Sequence, residues 1–194
     1  MNVLFVTAGD RTQASSRFRV YELVPYLERA GISTETVAVP EIDGPVSGFV
    51  RRVAFALRIL RGATRHDIVY VQKVRLPPAF TLLLSRLPSK LVLDFDDAIH
   101  LAPPGDTPDP KTIRSLHALL ERSDLTVAAS RPLVEYARQY SDEVRCLHTG
   151  IPRDQYERHR DVGSADGGSV LLGWIGNPEN LHYLADVEEQ IGEA

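Results

Sequence analysis

The chain has 194 residues, 43% of them hydrophobic, which is enough for a sizeable core, and a formal net charge of −4 with a pI near 5.9. Its length exceeds the common domain of roughly 100 to 150 residues but falls short of two, and the acidic balance argues against non-specific binding to nucleic acid, which needs a basic surface. The single cysteine, Cys146, excludes an internal disulfide, no apolar run reaches the ~18 residues of a membrane span, and no leader-like segment precedes the first strand, so a cytoplasmic location is expected.

Short apolar runs at 3–7, 34–39, 68–72, 91–95, 125–129 and 144–148 read as buried strands, rich in Val, Ile or Leu and apolar on both faces. Between the first two, Val20, Leu23, Val24 and Leu27 recur at helical spacing, and Gly31 follows as a C-terminal cap. Helices over 47–64, 78–86, 111–122 and 131–140 fill the later crossovers, the last with Ser130 as N-cap and Pro132 in its first turn. This alternation predicts an α/β, Rossmann-like parallel sheet with helices on both faces. Cys146, within the last strand, reads as a small core residue. After Gly150 the chain becomes polar and ends in Gly-Ser-Ala-Asp-Gly-Gly168, the composition of an interdomain linker. Val170-Leu-Leu-Gly-Trp-Ile175 then repeats the opening Asn2-Val-Leu-Phe-Val-Thr7. The predicted organisation is an N-terminal Rossmann-like domain over 1–152, a linker over 153–168, and the first strand and helix of an incomplete second Rossmann-like domain over 169–194.

Four segments suit chemistry. The loop Ala8-Gly-Asp-Arg-Thr-Gln-Ala-Ser-Ser-Arg-Phe-Arg19 brings small residues and two arginines to the entrance of the first helix. Ligands bind beyond the carboxyl ends of parallel strands, where a helix N-terminus offers amide donors. Ser15, Ser16, Arg17 and Arg19 are therefore substrate-binding candidates, a serine-capped polar loop being the alternative. The loop lacks G-x-G-x-x-G, which weakens an oxidoreductase reading. Leu91-Val-Leu-Asp-Phe-Asp-Asp-Ala-Ile-His100 places Asp94, Asp96, Asp97 and His100 at or beyond the end of a central strand, where they suit general-base work, hydroxyl recognition or metal binding. For His100 the alternative is a structural hydrogen bond.

This segment also resembles the first motif of haloacid-dehalogenase-type phosphatases, although Ala98 stands where that pattern wants Thr or Val and no later acidic pair completes a magnesium site. In the helix over 47–64, Arg51, Arg58, Arg61 and Arg65 share one face, and Phe49, Val53, Leu57 and Leu60 lie opposite. Such a helix suits peripheral contact with anionic lipid at the inner face of a membrane, or forms the ordinary solvated face of a crossover. Finally, Leu172-Gly-Trp-Ile-Gly-Asn-Pro-Glu-Asn-Leu-His182 reads as a strand, a tight turn at Gly176 and a helix with Asn177 as N-cap, open to close approach by a phosphate or serving only as turn and cap.

With Ser15-Ser-Arg-Phe-Arg-Val20, Leu93-Asp-Phe-Asp-Asp-Ala-Ile-His100, Thr149-Gly-Ile-Pro-Arg-Asp-Gln-Tyr156 and Gly173-Trp-Ile-Gly-Asn-Pro-Glu-Asn180 in this order, the chain resembles the N-terminal part of a retaining glycosyltransferase of family 4 with the two-domain GT-B architecture. Thr149 and Pro152 depart from the Asn and Asp usual in the third motif. The resemblance implies an acceptor-side N-terminal domain, a donor-side C-terminal domain, and transfer from a nucleotide sugar to a glycan or lipid-linked acceptor, without metal, other cofactor or nucleic acid. It makes Asp96, Asp97 and His100 catalytic cleft residues, and turns Gly176 and Asn177 to the donor phosphates. The resemblance assigns the Glu-x7-Glu motif of the donor site to the remainder of the second domain, so this piece alone is expected not to turn over. The alternatives are a dehalogenase-type phosphatase and a non-catalytic carbohydrate-binding or interaction module.

Overall fold

The computed structural model describes residues 1–41, 45–101, 107–151, 173 and 187. Six apolar runs form parallel strands: β1 (Asn2–Thr7), β2 (Ser33–Ala38), β3 (Ile68–Gln72), β4 (Lys90–Phe95), β5 (Leu125–Ala128) and β6 (Val144–Cys146). Their order is β2-β1-β3-β4-β5-β6, so the winding reverses between β1 and β3. In an open parallel sheet that reversal leaves a crevice beyond the strand ends.

Alternation of side chains along each strand separates two apolar layers. Val3 and Phe5 pack with Val20, Val24 and Leu27 on one face. Leu4, Val6, Val69, Val71, Leu91, Leu93 and Phe95 form the larger layer on the other, with Ile59, Leu84, Leu116, Leu119 and Leu120 from the covering helices. Strands buried on both faces occur in the middle of the sheet. The outer strands depart from that expectation, since β2 alternates with solvent and β6 buries only Val144. Cys146 is consequently exposed rather than a core residue, because β6 is a three-residue edge strand paired with β5 alone.

The first crossover corrects the single predicted helix. It consists of α1 (Ala14–Ser16), a π-helical turn (Arg17–Tyr21) and α2 (Val24–Arg29). The wide turn closes with the Glu22 amide donating to the Arg17 carbonyl at 2.9 Å. It turns both Arg19 and Val20 inward and leaves Leu23 38% exposed, although Leu23 fits the helical spacing. Gly31 ends α2 at φ +79°, the left-handed conformation that favours glycine.

The remaining helices are α3 (Pro45–Ala63), α4 (Pro78–Leu84), α5 (Pro110–Arg122) and α6 (Arg131–Ala137). Asp109 caps α5, its carboxylate accepting from the Lys111 and Thr112 amides at 3.1 Å each. The Thr112 hydroxyl, and then those amide bonds, hold the Asp109 carboxyl below its ordinary pKa. Ser130 stands at the N-cap position of α6, but its hydroxyl makes no capping bond. Among the described residues no helix is long and apolar enough to cross a membrane.

By compactness the chain divides into Met1–Gln155 and Tyr156–Ala194. The predicted linker and the Gly176 and Asn177 turn lie outside the described residues, as does the second-domain strand apart from Gly173.

Close packing of α3 on β1 depends on Gly62, where an added Cβ would meet Leu4 Cδ2 at 2.4 Å in a fully buried layer. Gly62→Val is expected to lower unfolding free energy by about 1–3 kcal/mol, measured by urea denaturation. Unchanged stability would show that this helix does not need its close approach.

Candidate active site

One row of residues at the carboxyl edge of the central strands is polar. Thr7 lies opposite Gln72 and Gln72 opposite Asp94, and all three are fully buried. Buried polar groups need partners, and the loop and first crossover supply them. Thr7 Oγ1 donates to the Gly9 carbonyl at 2.8 Å. Gln72 Nε2 donates to Ser15 Oγ at 2.8 Å, and Ser16 Oγ lies 2.8 Å from both Gln72 Oε1 and Gln13 Oε1.

Asp94 is met by Arg19. The guanidinium Nε reaches Oδ1 at 3.0 Å and Oδ2 at 2.7 Å, and Nη2 also donates to Oδ1. Its other arm, Nη1, donates to the Leu147 carbonyl and to Thr149 Oγ1 at 3.1 Å each. The Arg19 side chain is 3% exposed and that of Asp94 not at all. Burial pushes the Asp94 carboxyl up, and the hydrogen bonds and charge of Arg19 oppose it. For Arg19, burial acts downward but is outweighed by the Asp94 hydrogen bond and charge, leaving a net upward shift. Tyr70, beneath the pair, has its phenol pushed up by burial and then by the Asp94 charge.

The row continues toward solvent through the loop after β4. Ser15 Oγ donates to Asp96 Oδ2 at 2.6 Å, so Gln72, Ser15 and Asp96 form a relay from strand to crossover to loop. Asp96 Oδ1 is buried and takes no hydrogen bond among the described residues. It lies 3.9 Å from Lys73 Nζ, which is ion-paired with Asp97. Lys73 adopts φ +56°, rare for a side-chain-bearing residue and frequent at ligand sites. Its amide is fixed by donation to the Asp94 carbonyl at 2.8 Å.

A cleft of about 1040 Å³ opens where β1 and β3 diverge. Ala8, Gln13, Lys73 and Arg75 line it from the strand ends, Arg52 and Phe55 from α3, and Ile99 from the loop after β4. Lys73 and Gln13 connect this cleft to the polar row.

The structure thus gathers Ser15, Ser16, Arg19, Asp96 and Asp97. Arg17 instead lies 3.4 Å from Glu22 and over the Phe18 ring at 4.4 Å. His100 stacks flat on Tyr136, with ring centroids 3.7 Å apart, and its buried Nδ1 makes no hydrogen bond among the described residues. Tyr136 OH lies 2.8 Å from His117 Nε2, and His117 stacks on Tyr140 at 4.0 Å, so His100 belongs to an aromatic group on α5 and α6. Gly176 and Asn177 are outside the described residues. Among those described, no three His, Cys, Asp or Glu side chains gather as a metal would require. No sequence motif singles out Lys73 and Gln72, whose position at the end of a central strand is the one signal they carry.

No protein-family model matches the chain, and a search of curated proteins gives no match. Among solved structures, 99% of the chain is similar to a chain described as Anabaena Alr3699/HepE in complex with UDP, at a TM-score of 0.54 and 15% identity. The chain spans 50% of the length of that structure's chain. At this identity the likeness concerns the fold, a Rossmann-like α/β sheet.

Removing one partner of a buried ion pair leaves the other charge unpaired, so Arg19→Met is expected to cost about 3–5 kcal/mol in urea denaturation. The pair of changes Arg19→Met and Asp94→Leu should recover most of that loss. Two single variants and a double variant of equal stability would count against the pair as a structural element.

His100 gives a second prediction. Burial, and then the neighbouring His117, lower its pKa below the ordinary 6.5. A depressed folded-state pKa stabilises the fold above 6.5, and this contribution is lost as pH falls through the folded value. Melting temperature should therefore fall through that window, and less steeply in His100→Phe, which keeps the stacked ring without the titration.

Proposed function

We propose that this chain is the acceptor-side domain of a retaining, family 4 glycosyltransferase of GT-B architecture, acting in the cytoplasm. The observation that carries the reading is the cleft at the β1/β3 reversal, whose lining residue Lys73 is paired with Asp97 and lies 3.9 Å from Asp96, itself bonded to Ser15. Asp96 Oδ1 is an acceptor with no hydrogen-bond donor among the described residues, the group that a sugar or acceptor hydroxyl satisfies. Asp97 is the candidate general base, and Lys73 holds both carboxylates in place. His100 shapes the loop between them and α6. The half-length likeness to a chain crystallised with UDP supports a nucleotide sugar as donor, held by a second domain that includes Gly176 and Asn177. No metal takes part in this scheme, and transfer needs both domains.

The phosphatase alternative requires Asp94 as a free nucleophile. Its full burial and three contacts with Arg19 disfavour that role. A non-catalytic sugar-binding module would bind nucleotide sugars in the two-domain protein without transferring them.

The test is a transfer assay on the 194-residue chain and on the protein extended through a second domain. Only the extended protein should transfer sugar, with the donor's anomeric configuration kept by NMR. Asp97→Asn in that protein should lower kcat about 10²–10⁴-fold with little change in melting temperature, since Asp97 is exposed. Transfer by the short chain, or inversion at the anomeric carbon, would refute the corresponding part of the scheme.

A further inference from the structure

Helix α3 has three faces where its sequence suggests two. Ile59 and Ala63 are fully buried against the sheet, and Phe55 packs beside them. The apolar residues that the helical pattern sets opposite the arginines do not join this core. Val46, Phe49, Val50, Val53 and Leu57 follow one another along the outer side and are 78%, 69%, 61%, 42% and 60% exposed. Scattered exposed aliphatic residues are ordinary, but a contiguous stripe of five marks an interaction surface.

Charge indicates what the stripe meets. Arg51, Arg58 and Arg61 run along one edge, and α3 contains no acidic residue although the whole chain carries −4. The helix that bears the apolar stripe is therefore net positive within an acidic chain. Arg58 is held only loosely, 3.9 Å from Glu35 with both side chains more than half exposed. A second copy docking on the same stripe about a two-fold axis would bring these arginines toward their own counterparts. A bilayer with anionic headgroups satisfies both features at once.

We infer that α3 lies in the surface of an anionic phospholipid bilayer, with Phe49, Val53 and Leu57 in the acyl boundary and Arg58 and Arg61 on headgroup phosphates. Because Arg52 and Phe55 of the same helix line the cleft, docking brings the mouth of the cleft beside the membrane. The inference does not depend on the proposed reaction, and the following test contains no transfer step.

The experiment is co-sedimentation of the chain with phosphatidylcholine vesicles and with mixed phosphatidylcholine and phosphatidylglycerol vesicles. Sedimentation is expected only with the mixed vesicles, and should be lost near 1 M salt, where the Debye length is about 3 Å. The double variants Arg58→Glu with Arg61→Glu, and Phe49→Ser with Leu57→Ser, should each weaken binding at least about tenfold. All four side chains are exposed, and circular dichroism would verify that the variants remain folded. A wild-type chain that stays in the supernatant with both vesicles overturns the inference, as does a charge-reversed variant that sediments equally well. A concentration-dependent dimer abolished by Phe49→Ser would assign the stripe to a second copy instead.

Discussion

The buried contact between Arg19 and Asp94 fixes more of this molecule than any other single interaction. Its members come from the first crossover and a central strand, 75 residues apart in sequence. The same guanidinium reaches the segment after β6, so the beginning, middle and end of the described sheet meet on one side chain. Desolvating two charges is costly, and a hydrocarbon pair of similar volume often holds a fold as well or better. What hydrocarbon would not supply is direction. Five donors in a fixed plane set the position of the crossover relative to β4 and of the exit segment relative to both.

From that anchor the candidate site follows by adjacency. Asp94 and Gln72 are neighbours in register, Gln72 is bonded to Ser15, and Ser15 to Asp96. Each bond satisfies a buried group at one end and places a more exposed group at the other. Lys73, paired with the exposed Asp97, forms the cleft-side end of this series. A site built in this manner is rigid at its base and adaptable at its rim, as binding sites on open parallel sheets require.

Much of this architecture was legible in the sequence because strands in the middle of a parallel sheet are apolar on both faces. The runs at β1, β3 and β4 admit no other simple reading. The edges were less legible: the run Val144-Arg-Cys-Leu-His148 carries two polar residues, and the pairing of β6 with β5 alone leaves Cys146 exposed. The apolar stripe of α3 was visible as a pattern, but periodicity cannot say whether an apolar face meets a core or solvent. In the candidate site, Asp96 stands just beyond the end of β4 and Ser15 at the entrance of the first crossover, positions that the sequence pattern makes visible. A lone lysine such as Lys73 carries no pattern, and His100 is close to the aspartates in sequence whereas its ring stacks on Tyr136 of α6. Arg19 was legible as a polar residue near the site, but not as a buried structural centre.

The π-helical turn gives the site an unusual sensitivity to chain length. In a regular α-helix, one face would carry Val20 and Leu23 inward and leave Arg19 to the side; the wider turn redistributes these positions over a single extra residue. Loss of any one residue between Arg17 and Tyr21 would preserve most side chains of the site while changing the angular position of all that precede it. Two homologous chains could therefore share Ser15, Asp94 and Asp96 yet differ in whether these groups meet. For this fold, the number of residues between the first strand and Val20 carries as much information as their identities.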